Sequence, residues 1–385
     1  MNSRERMLAA FKHQEPDRVP FDLGSTLTTG ISHIAYRKLL PLWGFDPNRP
    51  VGLIDTIQQL ASVDEDVLIK LGVDTRGVVH EALGGRVEMW EDKDNSYMKD
   101  QWHVTWRMPK LTGRYYDMTA HPLRGDDPAD IDRFPWPNPR DPARWAGLVN
   151  TVKPMHEAGE YCVVLGSCGM SVGLLQTFQW LQGFEDSFAN LAGNPRFTQK
   201  LVDKITELDL QFWDVFLDEV GPYLDVILYV DDFAGQNGLL ISANMYRKYF
   251  KSGYQQIFGL IRKKAPNIHI LFHSCGAVYE LIPELVELGI DILNPVQVSA
   301  ANMDTRRLKK EFGKDLTFWG GGVDTQQILP YGTPQQVKDE VKRRIDDLAP
   351  GGGFVFNTVH NIQGDVPPEN VMAMLEALHQ YGVYA

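Results

Sequence analysis

The segment HILFHSCGAVYELIPELVELGIDILNP, residues 269–295, contains a strand, a helix and a second strand in succession. Its first part is a short apolar run over 269–275, and another apolar run begins at 291. Between them, residues 277–288 have the periodicity of a helix, and Gly289 stands just past its end. Two short apolar runs joined by one helix predict parallel strands with a crossover connection, which is the unit of an α/β fold.

The same alternation recurs along the whole chain, with eight short apolar runs separated by longer segments of helical periodicity. The length of 385 residues leaves one large barrel or two smaller domains open. The count of eight favours a closed (β/α)8 TIM barrel forming one domain over 1–385, since no G-x-G-x-x-G follows any run. The runs are VPFDLG (19–24), TRGVV (75–79), YCVVLGS (161–167), DVILYVDD (225–232), HILFHSC (269–275), DILNPVQ (291–297), LTFWGGG (316–322) and FVFNTVH (354–360).

Helical candidates fall where the crossovers of such a barrel are required. Three of them begin at residues whose side chains commonly cap helices, namely Ser242, Asp304 and Thr333. The candidates in the second half of the chain are 242–264, 277–288, 304–311, 334–348 and 368–382.

Residues 85–118 break this rhythm, because RVEMWED, QWHVTWRM and GRYYDM alternate with period two between turn-forming KDN and KLTG. This pattern predicts an antiparallel β excursion at about 85–118, placed over the rim of the barrel. Trp102, Val104 and Trp106 share one face of its middle run. Packing of these side chains onto the body is favoured over a platform on which a substrate stacks. Residues 121–142, rich in proline and aspartate, are expected to form an ordered surface connection.

Composition excludes several classes of partner. The chain has 50 acidic and 38 basic residues, a formal charge of −12, so a phosphate backbone would be repelled and nucleic acid is not expected. Three cysteines cannot form a disulfide framework, and the N-terminus does not resemble an export signal, so a cytoplasmic protein is expected. No apolar run approaches the roughly 18 residues that span a bilayer, so no membrane is expected.

Polar residues collect at the carboxyl ends of the predicted strands, where a (β/α) barrel carries its catalytic groups. Side chains at i and i+2 of a strand point to the same side, so His273 and Cys275 can face the barrel mouth together. Imidazole nitrogen and thiolate sulfur are preferred zinc ligands, and His360 is the most economical third ligand. The polar residues at these ends are Asp22, Ser167, Cys168, Asp231, Asp232, His273, Cys275, Asn294, Gln297, Asp324, His360 and Asn361.

The residues alone leave other arrangements open. His273 and Cys275 can instead form a hydrogen-bonded core pair, or a pair in which an imidazole activates the thiol as a nucleophile. Cys168 is a rival or fourth metal ligand. Asp231 or Asp232 can complete the shell, although adjacent strand residues face opposite sides and only one can point inward. A glycosidase is disfavoured, because the seventh run ends in glycines and supplies no second inward carboxylate.

Five segments, in order, resemble the uroporphyrinogen decarboxylase superfamily over nearly the whole chain, and they imply a (β/α)8 barrel. One branch of the superfamily decarboxylates the acetate arms of uroporphyrinogen without a cofactor. The other contains zinc methyltransferases that move a methyl group between a corrinoid protein and a thiol or another methyl donor. The matching segments are RERMLAAFKHQEPDRVPF, VDDFAGQ, HSCG, GGGVDTQQILPYGTPQQVKDEV and VHNIQGDVPPENVMAMLEAL.

The decarboxylase pattern is incomplete in this chain. The branch carries an arginine-rich R-Q-A-G-R-Y segment, whereas this sequence has DLGSTLTTGISH at 22–33 and no arginine between Arg18 and Arg37. The carboxylates of uroporphyrinogen would therefore be left unpaired, which is costly. The tyrosine that the branch places after strand three also has no counterpart.

The methyltransferase branch is matched more closely. Its zinc site resembles H-x-C followed by a distant cysteine, which implies His273 and Cys275 as ligands, with His360 in place of the second cysteine. A neutral imidazole in place of a thiolate leaves zinc one unit more positive, which favours polarising an oxygen over activating a thiol.

The resemblance therefore implies a zinc-dependent methyltransferase, with O-demethylation among its reactions and a homodimer as the assembly. The chain has no D-x-H-x-x-G signature, so the corrinoid is expected on a separate partner protein. A metal-free decarboxylase or lyase is the alternative. Asp231 and Asp232 are the expected catalytic residues. The expected substrate-binding residues are Asp22, Cys168, Gln236, Asn294 and Asn361.

Overall fold

A computed structural model describes residues 1–80 and 88–384. Its strands are β1 (Leu53–Asp55), β2 (Leu60–Ala61), β3 (Thr75–Val78), β4 (Glu88–Glu91), β5 (Asn95–Lys99), β6 (Thr105–Pro109), β7 (Asp117–Ala120), β8 (Cys162–Leu165), β9 (Val226–Val230), β10 (His269–His273), β11 (Ile292–Asn294), β12 (Thr317–Trp319) and β13 (Phe354–Val355). Its helices are α1 (Ser3–Phe11), α2 (His33–Leu39), α3 (Glu65–Leu71), α4 (Pro128–Arg133), α5 (Leu148–Ala158), α6 (Leu174–Gln182), α7 (Phe184–Gly193), α8 (Pro195–Glu219), α9 (Ala243–Met245), α10 (Lys251–Lys264), α11 (Ile282–Glu287), α12 (Thr305–Phe312), α13 (Ile328–Tyr331), α14 (Pro334–Leu348) and α15 (Pro368–Tyr381).

Seven of the eight predicted strands form one curled parallel sheet, in the order β13-β12-β11-β10-β9-β8-β3. The remaining predicted strand, 19–24, is the first along the chain. It does not form a strand, and it pairs only through a single parallel bridge between Phe21 and Phe356. Its backbone nevertheless contacts both edges of the sheet, because Asp22 N–H donates to the Phe356 carbonyl at 3.0 Å and Asp74 N–H donates to the Phe21 carbonyl at 2.8 Å. Pro20 in this segment has no N–H to donate, which limits pairing. The architecture is TIM-barrel-like.

Alternate side chains of the parallel strands divide the core into an inner and an outer layer. Val226 and Leu228 of β9 belong to a cluster inside the sheet with Leu271 of β10. Tyr229 points outward and meets Phe258 of α10 edge-on, with 5.2 Å between the ring centroids. Both faces of the strands are therefore buried, which explains their continuous apolar character.

A helix begins directly after each of the three predicted capping residues. Ser242, Asp304 and Thr333 each accept a backbone N–H at the start of a helix, and Thr333 forms a capping box with Gln336. The candidate at 242–264 is divided by a π-helical turn over Tyr246–Phe250. Among the described residues, no helix combines the length and the apolar character needed to cross a membrane.

The predicted antiparallel excursion is a four-stranded meander, β4-β5-β6-β7, and 85–87 of the predicted range lie outside the described residues. Trp102, Val104 and Trp106 are buried, so they help attach the meander to the body, and Trp102 and Trp106 also line a cavity. Trp106 packs edge-on against Trp180 of α6, with ring centroids 4.8 Å apart. The connection over 121–142 contains helix α4, which buries Ile131.

Candidate metal centre

Three potential metal ligands meet at the carboxyl end of the parallel sheet. His273 ends β10, Cys275 follows two residues later, and His360 lies in the loop after β13. One ligand atom from each side chain can be chosen so that all three lie within 4.8 Å of one another. In a tetrahedral zinc shell, neighbouring nitrogen and sulfur ligands are about 3.3–3.6 Å apart. The group therefore fits zinc after small side-chain rotations.

His273 faces the mouth because it is two residues beyond Leu271 and shares its inward face. The side chain of Asn294 fixes the tautomer of this histidine. Asn294 Nδ2 donates to the Trp319 carbonyl at 2.7 Å, so its Oδ1 is the acceptor that lies 2.5 Å from His273 Nδ1. Nδ1 must therefore carry the proton, which leaves the lone pair of Nε2 directed at the cluster.

Cys275 completes the pair, with its Sγ 3.2 Å from Nε2 of His273. The loop is held by Asp232, whose Oδ1 accepts the Cys275 backbone N–H at 2.7 Å. Gly276, at φ +88°, adopts the left-handed backbone needed to turn the chain there. Burial raises the pKa of the Cys275 thiol well above its ordinary value, so without a cation the group is a neutral thiol.

His360 approaches from the opposite wall, with its ring centroid 5.5 Å from that of His273. Burial lowers the pKa of His273 to about 4 and that of His360 to about 4, and His273 contributes further to the second shift. Both imidazoles are thus neutral at physiological pH, the state in which they bind metals.

The two adjacent aspartates take separate positions. Asp232 faces the cluster, with Oδ1 3.8 Å from His273 Nε2, and it accepts Gln176 Nε2–H at 3.0 Å. Asp231 points away from the cluster and accepts the backbone N–H groups of Leu175 and Gln176, both at 2.8 Å, and the hydroxyl of Tyr254. Asp231 thus holds the start of α6, and only Asp232 faces the cavity.

The residues predicted to bind substrate are dispersed. Cys168 lines the cavity but is not in the three-residue cluster. Asn294 orients His273, and Gln236 donates to Gln326 at 2.5 Å. Asn361 accepts Gly30 N–H and donates to Gln58 and the Leu27 carbonyl, so its amide is fully engaged.

Asp22 is buried inside the barrel, where it accepts the hydroxyl of Thr75 at 2.6 Å and the indole N–H of Trp319 at 3.0 Å. It is not among the residues that line the cavity over the cluster.

A cavity of about 240 Å³ lies over the cluster. His273, His360 and Asp232 line its floor, and much of its wall is apolar. Several lining residues were not singled out from the sequence, because they lie on the segment 55–58, on the loop after β8 and on α6, where no motif marks them. They include Asp55, Ile57, Gln58, Met170, Gln176 and Trp180.

Comparison with known families and proteins gives one family. The family model described as uroporphyrinogen decarboxylase (URO-D) matches residues 117–381. A uroporphyrinogen decarboxylase of Alkalilimnicola ehrlichii is 24% identical over 267 residues, 68% of each chain. One from Pseudomonas fluorescens is 26% identical over 262 residues, 66% of this chain and 68% of the relative.

Among solved structures, a methyltransferase from Methanosarcina mazei superposes with a TM-score of 0.63. The superposition covers 99% of both chains, at 18% sequence identity. At this identity the likeness establishes the fold alone. The overall fold is therefore shared with a known protein.

Proposed function

This chain belongs to the uroporphyrinogen decarboxylase family, and from that premise we propose that it is a zinc-dependent methyltransferase. It moves a methyl group between a corrinoid carried by a partner protein and a thiol or a methylated small molecule. Demethylation of a methoxy compound is one reaction of this type.

The observation that carries the proposal is the meeting of His273, Cys275 and His360 within 4.8 Å of one another, with both histidines lining the cavity. Two imidazoles and one thiol are a donor set preferred by zinc, and three protein ligands leave one position for substrate, as in catalytic zinc sites. Zinc bound there supplies Lewis acidity to the substrate heteroatom that gains or loses the methyl group.

The surrounding residues have separate tasks in this proposal. Asn294 holds the imidazole of His273 so that Nε2 stays directed at the cluster. Asp232, on the cavity floor, is the group placed to exchange a proton with a thiol or a departing oxygen. Burial raises its pKa, which makes the carboxyl a better proton carrier near neutral pH than an exposed aspartate.

Uroporphyrinogen itself is disfavoured as a substrate. It is a polycarboxylate, whereas no lysine or arginine occurs among the described residues that line the cavity.

The decisive measurement is the metal content of the protein purified without added metal. About one zinc per chain is expected, and Cys275→Ser is expected to lose most of it. Cys168→Ser is the matched control, because Cys168 lines the same cavity outside the ligand cluster, and its metal content should be unchanged. Absence of zinc from the wild-type protein after supplementation would refute the metal site.

Activity is then tested with a purified corrinoid protein and a panel of thiols and methoxy compounds, following methylation of the corrinoid by its visible spectrum. Loss of exchange on treatment with a strong chelator, and recovery with zinc, is expected. The alternative is a metal-free decarboxylase or lyase, and the relatives compared above are named uroporphyrinogen decarboxylases. This alternative predicts that the protein releases carbon dioxide from its substrate at a rate that the chelator does not change. Measurement of the molecular mass in solution tests whether the protein is a homodimer.

A further inference from the structure

The cavity over the metal cluster has a chemistry that restricts what it can hold. We propose that it binds an uncharged, single-ring aromatic methyl ether carrying a hydroxyl group. This inference rests on the proposed function, because it names the methyl donor of that reaction. Size, charge, an unpartnered polar atom and a preformed aromatic wall each point to this class.

The size of the cavity admits one ring. A dry cavity of about 150 Å³ is enough to bind benzene, and the volume here is about 240 Å³. The additional space suits two or three further heavy atoms, such as a methoxy and a hydroxyl group. Two fused rings carrying substituents would extend out of it through the open mouth.

The charge of the lining selects against anions. The acidic residues in the lining are Asp55 and Asp232, and the described lining residues include no lysine or arginine. A carboxylate, sulfonate or phosphate that lies against this wall, away from the zinc of the proposed function, would therefore be buried beside like charges without a cationic side chain, which is costly. An uncharged ligand avoids this penalty.

One polar atom in the wall lacks a partner. Gln176 donates its Nε2–H to Asp232 at 3.0 Å, which fixes the orientation of the amide, and its Oε1 is buried with no hydrogen-bond partner. An unpaired buried acceptor is unfavourable and is satisfied when the ligand brings a donor. A hydroxyl group on the ring supplies that donor.

The aromatic part of the wall is held in place without a ligand. The indole N–H of Trp106 donates to Asp100 at 2.9 Å, and Trp106 packs edge-on against Trp180. Trp102 packs edge-on against Trp136, with ring centroids 6.2 Å apart. Because Trp102, Trp106 and Trp180 all line the cavity, a ring can contact a preformed aromatic surface with little cost of ordering.

The first test compares two ligands with the same ring and methoxy group at pH 7, the neutral 2-methoxyphenol and the anionic 2-methoxybenzoate. Binding is measured by calorimetry on the full-length protein, both zinc-loaded and chelator-treated. To the chelator-treated protein, which holds no zinc to pair with a carboxylate, the phenol is expected to bind at least about tenfold more tightly than the benzoate. Equal or tighter binding of the benzoate, or no binding of the phenol, would overturn the proposal.

Two variants locate the binding. Trp180→Ala should weaken 2-methoxyphenol by at least about fivefold, corresponding to the loss of one aromatic contact. Trp90→Ala is the matched control, since Trp90 lies on β4, stacks on Tyr97 and does not line the cavity. Val172→Lys introduces a cation into the lining and should shift the affinity ratio toward the benzoate. An unchanged ratio in this variant would place the ligand elsewhere and overturn the proposal.

These results separate the ligand class from the reaction. Binding of the phenol by a protein that holds no zinc and transfers no methyl group leaves the ligand class standing and refutes the proposed function. Zinc binding and methyl transfer from a thioether, with no affinity for the phenol, would support the proposed function and refute the ligand class.

Discussion

The amide oxygen of Asn294 lies 2.5 Å from Nδ1 of His273, and the same amide donates to the Trp319 carbonyl. This pair sets which imidazole nitrogen is available to a metal. Asn294→Ala should therefore lower zinc affinity by about 10–100-fold, the usual effect of removing the partner of a ligating histidine. Competition with a chromogenic chelator measures the affinity.

Asn294→Asp is the control for this prediction. An aspartate oxygen still accepts the Nδ1 proton, although it cannot donate to the Trp319 carbonyl, so zinc affinity should lie above that of Asn294→Ala. Circular dichroism and the Tm of both variants identify any loss of folding. Equal zinc affinity in the alanine and wild-type proteins would show that the hydrogen bond does not govern the metal ligand.

Zinc binding should release about one proton per ion at pH 7. His273 and His360 are already neutral there, because burial lowers the pKa of each to about 4. Cys275 is protonated, because burial raises its pKa, and it must lose a proton to bind. Affinity should therefore rise about tenfold per pH unit between pH 6 and 8. Calorimetry in buffers of different ionisation enthalpy counts the protons, and release of none would contradict this account.

Much of this site follows from rules that the sequence carries. The i, i+2 relation brings His273 and Cys275 to one side, and the loop after β13, three strands away in the sheet, supplies His360. Seven of the eight strands are also predicted from the sequence, because their apolar runs are continuous and because capping residues mark the helices between them.

Other features depend on tertiary packing that a single sequence does not encode locally. DVILYVDD is apolar on both faces, so no contrast of polarity shows that Asp232 points inward and Asp231 outward. Gln176 and Trp180 lie on a helix whose position over the mouth is set by its packing. The predicted strand at 19–24 has the composition of a strand but pairs through one bridge, at Phe21.

Asp209 should make the stability of the protein depend on pH. It is fully buried and accepts the hydroxyls of Ser171 and Tyr229, and burial raises its pKa to about 6 from 3.8. Its folded pKa lies above its unfolded pKa, so the folded state binds more protons between pH 4 and 6. Stability therefore falls as pH rises through this window, by up to about 3 kcal/mol.

Asp209→Asn isolates this contribution. The amide keeps the shape of the side chain, and the two hydroxyls can rotate to accept its N–H. Denaturant unfolding of both proteins at several pH values should show the variant gaining stability relative to the wild type as pH rises from 4 to 7. A constant difference across that range would exclude Asp209 as the titrating group.

Two glycine-to-alanine substitutions should have opposite effects. A Cβ at Gly166, just after β8, would overlap the backbone carbonyl of Ser25, in the segment that leads to Leu27 and Thr28 of the cavity lining. The backbone must move, so Gly166→Ala should lower the unfolding free energy by about 1–3 kcal/mol and weaken ligand binding.

Gly259, exposed in the middle of α10, has no atom near its Cβ position. Gly259→Ala should add up to about 1 kcal/mol, because alanine favours a helix. Urea unfolding measures both, and a stable Gly166→Ala protein with unaltered binding would show that the segment at Ser25 is not held against this strand end.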